Sequence, residues 1–195
     1  MRASKMLLLL SVFLLPSSLA ADVLIGDTTW NFNSSPGIDL EMSIDTDSNL
    51  VDIIISGRDD GWFSVGFGST TMADTYGIVV FQDGSYDERD LNYSGGTVLD
   101  SSLTLISSDV TGSTRTMHFR RGRVGISSEH YTFQTTPGIL NLIGASDGGG
   151  YGYHGGTNRS SNTIDLQPVP EPASGVLMGL AGISLVFRRR RSSLA

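Results

Sequence analysis

The side chains that could hold a metal in this 195-residue chain are three histidines (His118, His130 and His154), six methionines and the carboxylates, because there is no cysteine. That rules out disulfides, thiolate zinc sites, iron–sulfur clusters, a Cys nucleophile and covalent cofactor attachment through Cys-x-x-Cys-His. Hydrolytic chemistry also lacks its parts. No nucleophile is paired with a base, no close pair of acids stands out, and there is no Gly-x-Ser-x-Gly elbow and no Gly-rich phosphate loop between a strand and a helix. The residue inventory favours a binding or transfer module over a catalyst.

Other charged features read as structural. Asp45, Asp47 and Asn49 imitate the start of a calcium loop. Leu50 occupies its glycine position and Ser56 that of its bidentate acid, so the segment is expected to be a turn. Arg120, Arg121 and Arg123 form the one basic cluster before the C-terminal end, expected as a solvated edge that discourages strand pairing. Asp74 is expected as a turn residue. His118, between Met117 and Phe119, should turn away from those core positions toward solvent, and His130 falls in a loop after Glu129.

The elements that must position these residues are strands. Ile38, Leu40, Met42 and Ile44 alternate with polar residues, residues 45–49 are turn formers, and residues 50–56 are β-branched and apolar, so the two runs predict a hairpin. Further strands are predicted at residues 62–68, 76–82, 103–107, 114–120 and 139–145, separated by Gly, Asp or Ser clusters. No stretch between the termini keeps helical period over three turns. With 39% hydrophobic and 17% charged residues the chain is too apolar for a disordered tail and long enough to close a core. The expectation is a single all-β domain over residues 22–167, an antiparallel β-sandwich of immunoglobulin-like architecture.

Both ends lie outside that domain. Arg2 and Lys5 precede an uncharged run at residues 6–15, and Ser18 and Ala20 offer small residues before a cleavage point, so residues 1–20 read as a secretory signal peptide. At the other end, Pro170-Glu171-Pro172 leads into the uncharged stretch 173–187 and then Arg188 to Arg191. Residues 169–191 resemble the PEP-CTERM signal of bacteria with exopolysaccharide-producing envelopes. The resemblance implies an exported protein that meets the membrane only through this tail. It also implies that an exosortase-type enzyme then removes the tail, leaving the protein in the cell envelope or extracellular matrix. Residues 22–170 carry seven arginines, no lysine and 19 acids, a formal charge of −12, which repels nucleic acid and anionic lipid.

A second resemblance covers most of residues 38–159. Gly61-Trp62-Phe63-Ser64-Val65-Gly66-Phe67-Gly68, then Met72-Ala73-Asp74 and the apolar run 78–81, are similar to the core pattern of the DOMON domain. Met117-His118-Phe119-Arg120 resembles that family's late strand, and residues 142–146 with Tyr153-His154-Gly155-Gly156 resemble its closing strand and loop. The family includes the cytochrome domain of cellobiose dehydrogenase and relatives of dopamine β-monooxygenase. The resemblance implies a β-sandwich that binds b-type haem non-covalently, with Met72 and His154 as axial ligands. Trp62, Phe63, Phe67, Tyr151 and Tyr153 would then be aromatic walls. A Met/His pair raises the iron potential and favours electron transfer, to a separate redox partner protein. Some relatives use the same sandwich for sugars, so a carbohydrate- or matrix-binding module that meets extracellular polysaccharide is the alternative. Met72 and His154 each follow a predicted strand, and can face one another if their loops share one end of the sandwich.

Overall fold

The computed structural model describes residues 23–32, 37–93, 95–152, 154 and 157–169. The signal-peptide segment 1–20, the tail from residue 170 onward and Tyr153 lie outside the described residues.

The described residues form eleven strands: β1 (Val23–Trp30), β2 (Ile38–Asp45), β3 (Leu50–Arg58), β4 (Trp62–Phe67), β5 (Thr75–Val80), β6 (Tyr86–Leu91), β7 (Thr97–Val98), β8 (Thr104–Thr111), β9 (Thr114–Gly122), β10 (Gly138–Asp147) and β11 (Arg159–Pro168). Among the described residues there is no helix. All pairings are antiparallel, and the hydrogen-bonded order is β7-β6-β5-β4-β10-β11-β1-β2-β3-β9-β8. The corner is β11. It pairs with β10 from Ala145↔Arg159 to Gly138↔Leu166, and its last residues pair with β1 through Ile25↔Gln167 and Leu24↔Pro168. The curled sheet thereby folds over into the two layers of a β-sandwich, with β7 and β8 as its edge strands.

The main core lies between the layers. Ile38, Leu40, Met42 and Ile44 of β2, with Val51, Ile53 and Ile55 of β3, meet Phe63, Val65 and Phe67 of β4 and Leu140 and Leu142 of β10. Gly57 permits a close approach of the layers, since a Cβ there would stand 2.5 Å from the Phe63 ring. The β4–β5 sheet is unusual in that every residue of both strands is buried. Its outer face carries a second apolar cluster of Trp62, Met72, Val79, Leu91, Ile143 and Ala145, with Phe81 and Tyr151 packed against it. Strands buried on both faces lose the simple in–out alternation.

A charged assembly sits inside the sandwich. Glu88 of β6 accepts hydrogen bonds from Tyr76 Oη (2.5 Å), Ser102 Oγ (2.6 Å) and the backbone N–H groups of Ser102 and Leu103. Arg121 Nη1 of the opposite layer lies 3.7 Å from its carboxylate, and both side chains are fully buried. Burial pushes the Tyr76 phenol far up, so it remains a donor.

This arrangement corrects the reading of the arginine cluster as a solvated edge. β9 is covered by β8, and Arg121 occupies the inward position opposite Val51. Arg120 pairs with Asp52, and Arg123 donates to Asn49 Oδ1 and the Phe133 carbonyl. His118 does face outward, but Asp52 holds its Nε2 at 2.9 Å and three quarters of the side chain is covered. His130 is buried, with Nε2 on the Asp100 carbonyl and Nδ1 on Ser127 Oγ. Residues 45–49 form a turn in which Asp45 accepts from the N–H groups of Asp47 and Ser48.

Candidate functional site

The loop that carries Met72 begins where β4 ends. Gly68 turns at φ +82°, and its N–H donates to the Asn141 carbonyl at 2.8 Å. Thr75 Oγ1, next to the loop's other end, donates to the carbonyls of Thr71 (2.8 Å) and Ala73 (3.1 Å), and Asp74 takes a left-handed φ of +49°, the turn role expected of it. Thus pinned, the loop folds back over the sheet and buries the Met72 side chain against the outer cluster.

The loop that carries His154 leaves the other end of the same sheet. Phe67 at the end of β4 pairs with Leu142, whereas Asp147 at the end of β10 pairs with Trp62 at the start of β4. The two loops therefore do not share an end of the sandwich. They meet because both fold back across its outer face, where Met72 and His154 line one cleft with Trp62, Ser64, Leu91 and Tyr151. The His154 ring lies 6.0 Å from the Trp62 ring, centroid to centroid.

Alternation along β4 decides which aromatic residues belong to the cleft. Trp62 and Ser64 face it, while Phe63 and Phe67 face the inter-layer core. The expectation that Phe63 and Phe67 form cofactor walls is corrected on this ground: Phe63 lies in the inter-layer core, and the Phe67 ring packs on Phe133 at 5.4 Å and Tyr76 at 5.9 Å, on the other side of the sheet. Tyr151 does reach the cleft. Its ring stands edge-on to Trp62 at 5.0 Å and to Phe81 at 5.4 Å, and its hydroxyl donates to the Gly95 carbonyl at 2.6 Å. Burial raises the Tyr151 phenol, which keeps it a donor.

Sequence reasoning missed Arg89, because the charged run of β6 does not read as a strand. Its guanidinium lies 4.6 Å from the Tyr151 ring centroid, is held by Asp87 at 2.6 Å, and donates to the Gly95 carbonyl at 3.2 Å. The only available signal was the alternation of Asp87 and Arg89 around Glu88.

The donor set suits a haem iron, since thioether and imidazole are both established axial ligands. Among the described residues no group of three or more His, Asp or Glu side chains could hold a metal ion. Trp62 Nε1 is buried in the wall and has no hydrogen-bond partner among the described residues, the condition of a donor whose acceptor comes from a ligand. The open volume of the cleft, which Leu91 and Tyr151 help to line, is about 30 Å³. An open groove of about 700 Å³ adjoins it, lined by Trp62, Phe81, Asp83, Gly149, Gly150 and Tyr151.

Comparison with known proteins agrees with this architecture. The fold is similar to that of the cytochrome domain of Myriococcum thermophilum cellobiose dehydrogenase, with a TM-score of 0.59 and 11% identity over 77% of this chain and 88% of that one. No curated protein matches the chain in sequence. Residues 168–191 match the PEP-CTERM protein-sorting motif, which indicates export, sorting to the bacterial envelope and processing by an exosortase-type enzyme. The chain is thus an all-β sandwich similar in fold to that cytochrome domain, followed by a PEP-CTERM sorting signal.

Proposed function

We propose that the protein is an envelope-sorted electron-transfer module that binds b-type haem non-covalently through Met72 and His154. One observation carries the reading: a methionine and a histidine from loops at opposite ends of a sheet converge on one apolar cleft, in a sandwich that shares its fold with a cytochrome domain. Bound there, the haem would supply one-electron chemistry at a potential raised by the thioether ligand. The chain's own residues do the rest. The hydrogen-bonded 68–74 loop fixes Met72, β4 fixes Trp62, and the buried outer cluster keeps water from the site. No bond-making group of the chain is needed, and electrons would pass to a separate protein.

The test is an absorption spectrum of the protein purified with haem supplied. Sharp low-spin bands on reduction are expected, whereas a spectrum identical to free haem would sink the proposal. A second reading, binding of an extracellular polysaccharide, is favoured by the open groove with Trp62, Phe81 and Tyr151 in its wall. Retention on envelope polysaccharide by a protein that leaves the haem spectrum unchanged would select it.

A further inference from the structure

We infer that the open groove beside the cleft is the outer half of a single binding site, and that the Tyr151 side chain is the partition dividing it. The assignment of haem as occupant rests on the proposed function; the partition rests on geometry alone.

The two spaces share their wall, since Trp62 and Tyr151 line both. Sites for small-molecule cofactors generally measure about 300–1,000 Å³. The 30 Å³ cleft that holds Met72 and His154 falls far below that range, while cleft and groove together come to about 730 Å³. From the groove, a flat ring system could reach Met72 and His154 together only if the division between these two spaces yields; Met72 alone also borders a separate space of about 310 Å³.

Of the two shared residues only Tyr151 is built to move. Trp62 stands on β4, hydrogen-bonded into the sheet opposite Asp147 and 3% exposed. Tyr151 sits between Gly150 and Gly152, and a Cβ added at either glycine would meet nothing within 4 Å. The backbone around it is therefore unpacked, and its own ring is the anchor, held by edge contacts with Trp62 and Phe81, by the Arg89 guanidinium 4.6 Å from its centroid, and by one hydroxyl hydrogen bond to the Gly95 carbonyl. That carbonyl also accepts from Arg89 Nη1 at 3.2 Å. Outward rotation of Tyr151 therefore leaves no orphaned acceptor, which removes the usual desolvation penalty of opening. The same movement exposes the Trp62 side chain, which lines both spaces and has a buried Nε1 with no hydrogen-bond partner among the described residues, so an occupant carrying a hydrogen-bond acceptor on a flat apolar body satisfies the site best. Tyr151 is in this sense a positioning residue, setting access rather than coordinating.

The test uses Tyr151→Ala and Tyr151→Phe in the full chain, with two readouts. Without ligand, Met72 oxidation by dilute peroxide is followed by peptide mass spectrometry, with the core residues Met42 and Met117 as controls. Tyr151→Ala should oxidise at Met72 about tenfold faster than wild type, with both controls unchanged. With haem, stopped-flow uptake should quicken about tenfold in Tyr151→Ala and about fivefold in Tyr151→Phe, roughly the factor one neutral hydrogen bond provides. Equal Met72 oxidation in wild type and Tyr151→Ala would overturn the partition, whether or not haem binds. Accelerated oxidation in a protein that never takes up haem would uphold the partition and overturn the haem reading.

Discussion

Met72 and His154 reach the same cleft from opposite ends of one sheet, each carried back over its outer face by a loop. The pair is therefore held by two separate segments of the chain. Met72→Ala and His154→Ala should each convert a low-spin haem spectrum to high-spin or abolish binding. His118→Ala should leave the spectrum unchanged, because His118 is bound to Asp52 on the other layer. Absorption spectra of the reduced proteins check all three.

The two faces of β4 should separate stability from binding. Phe67→Ala removes a ring from the inter-layer core and should cost about 3–5 kcal/mol in urea unfolding, with little change in the spectrum of haem bound to the folded fraction. Trp62→Phe keeps an apolar ring in the cleft wall but deletes the orphaned Nε1 donor. It should weaken haem binding several-fold, at the scale of one hydrogen bond, with a small change in stability. Equilibrium titration and urea melts of the two variants distinguish these effects.

Glu88 is the costliest polar residue to lose. Glu88→Ala strands the Tyr76 hydroxyl, two backbone N–H groups and the fully buried Arg121, so a loss of about 3–5 kcal/mol is expected. Because the partners form one network, Glu88→Gln combined with Arg121→Met should cost less than the sum of the single changes. Chemical unfolding of the four proteins in that cycle measures the coupling.

Acid stability should report on Asp52. Burial alone would raise its carboxyl, but hydrogen bonds from Arg120 and His118 outweigh burial and hold it below its ordinary value of 3.8. A carboxyl with a lower pKa folded than unfolded stabilises the protein above the unfolded value, and that contribution is lost as pH falls through the folded one. Asp52→Asn should therefore be less stable at pH 7 by about 1 kcal/mol, and the difference should shrink as pH drops below about 4. Thermal melts from pH 2.5 to 7 follow the convergence.

Processing at both ends should leave the sandwich whole. β1 starts at Val23 and β11 ends at Pro168, and the Val169 N–H still donates to the Val23 carbonyl at 2.9 Å. Intact mass of protein from a host with the processing enzyme should correspond to a chain lacking the first 20 residues and everything beyond the Pro-Glu-Pro region. A mass that still includes Arg188 to Arg191 would show the tail to be retained as an anchor.

Much of this protein is written locally. The alternation in β2 and β3, with turn formers between them, specifies a hairpin because side-chain period and turn chemistry act over a few residues. The sorting tail is legible for the same reason, being a linear arrangement of Pro-Glu-Pro, apolar run and arginines. Strands β1, β6, β7 and β11 were not legible. β6 reads as a charged loop until its Glu88 finds Tyr76, Ser102 and Arg121 across the interior, and β11 is polar along its first half because it lies at the corner. The same limit applies to the site. Sequence could nominate Met72 and His154 and a set of aromatic residues, but which face each residue of β4 presents depends on the second layer, and that layer draws Phe67 into the core. Only tertiary folding could bring Tyr151 onto Arg89 and the Gly95 carbonyl over Trp62, since those Tyr151 contacts join residues more than fifty positions apart whose pairing is set by sheet order rather than by local pattern.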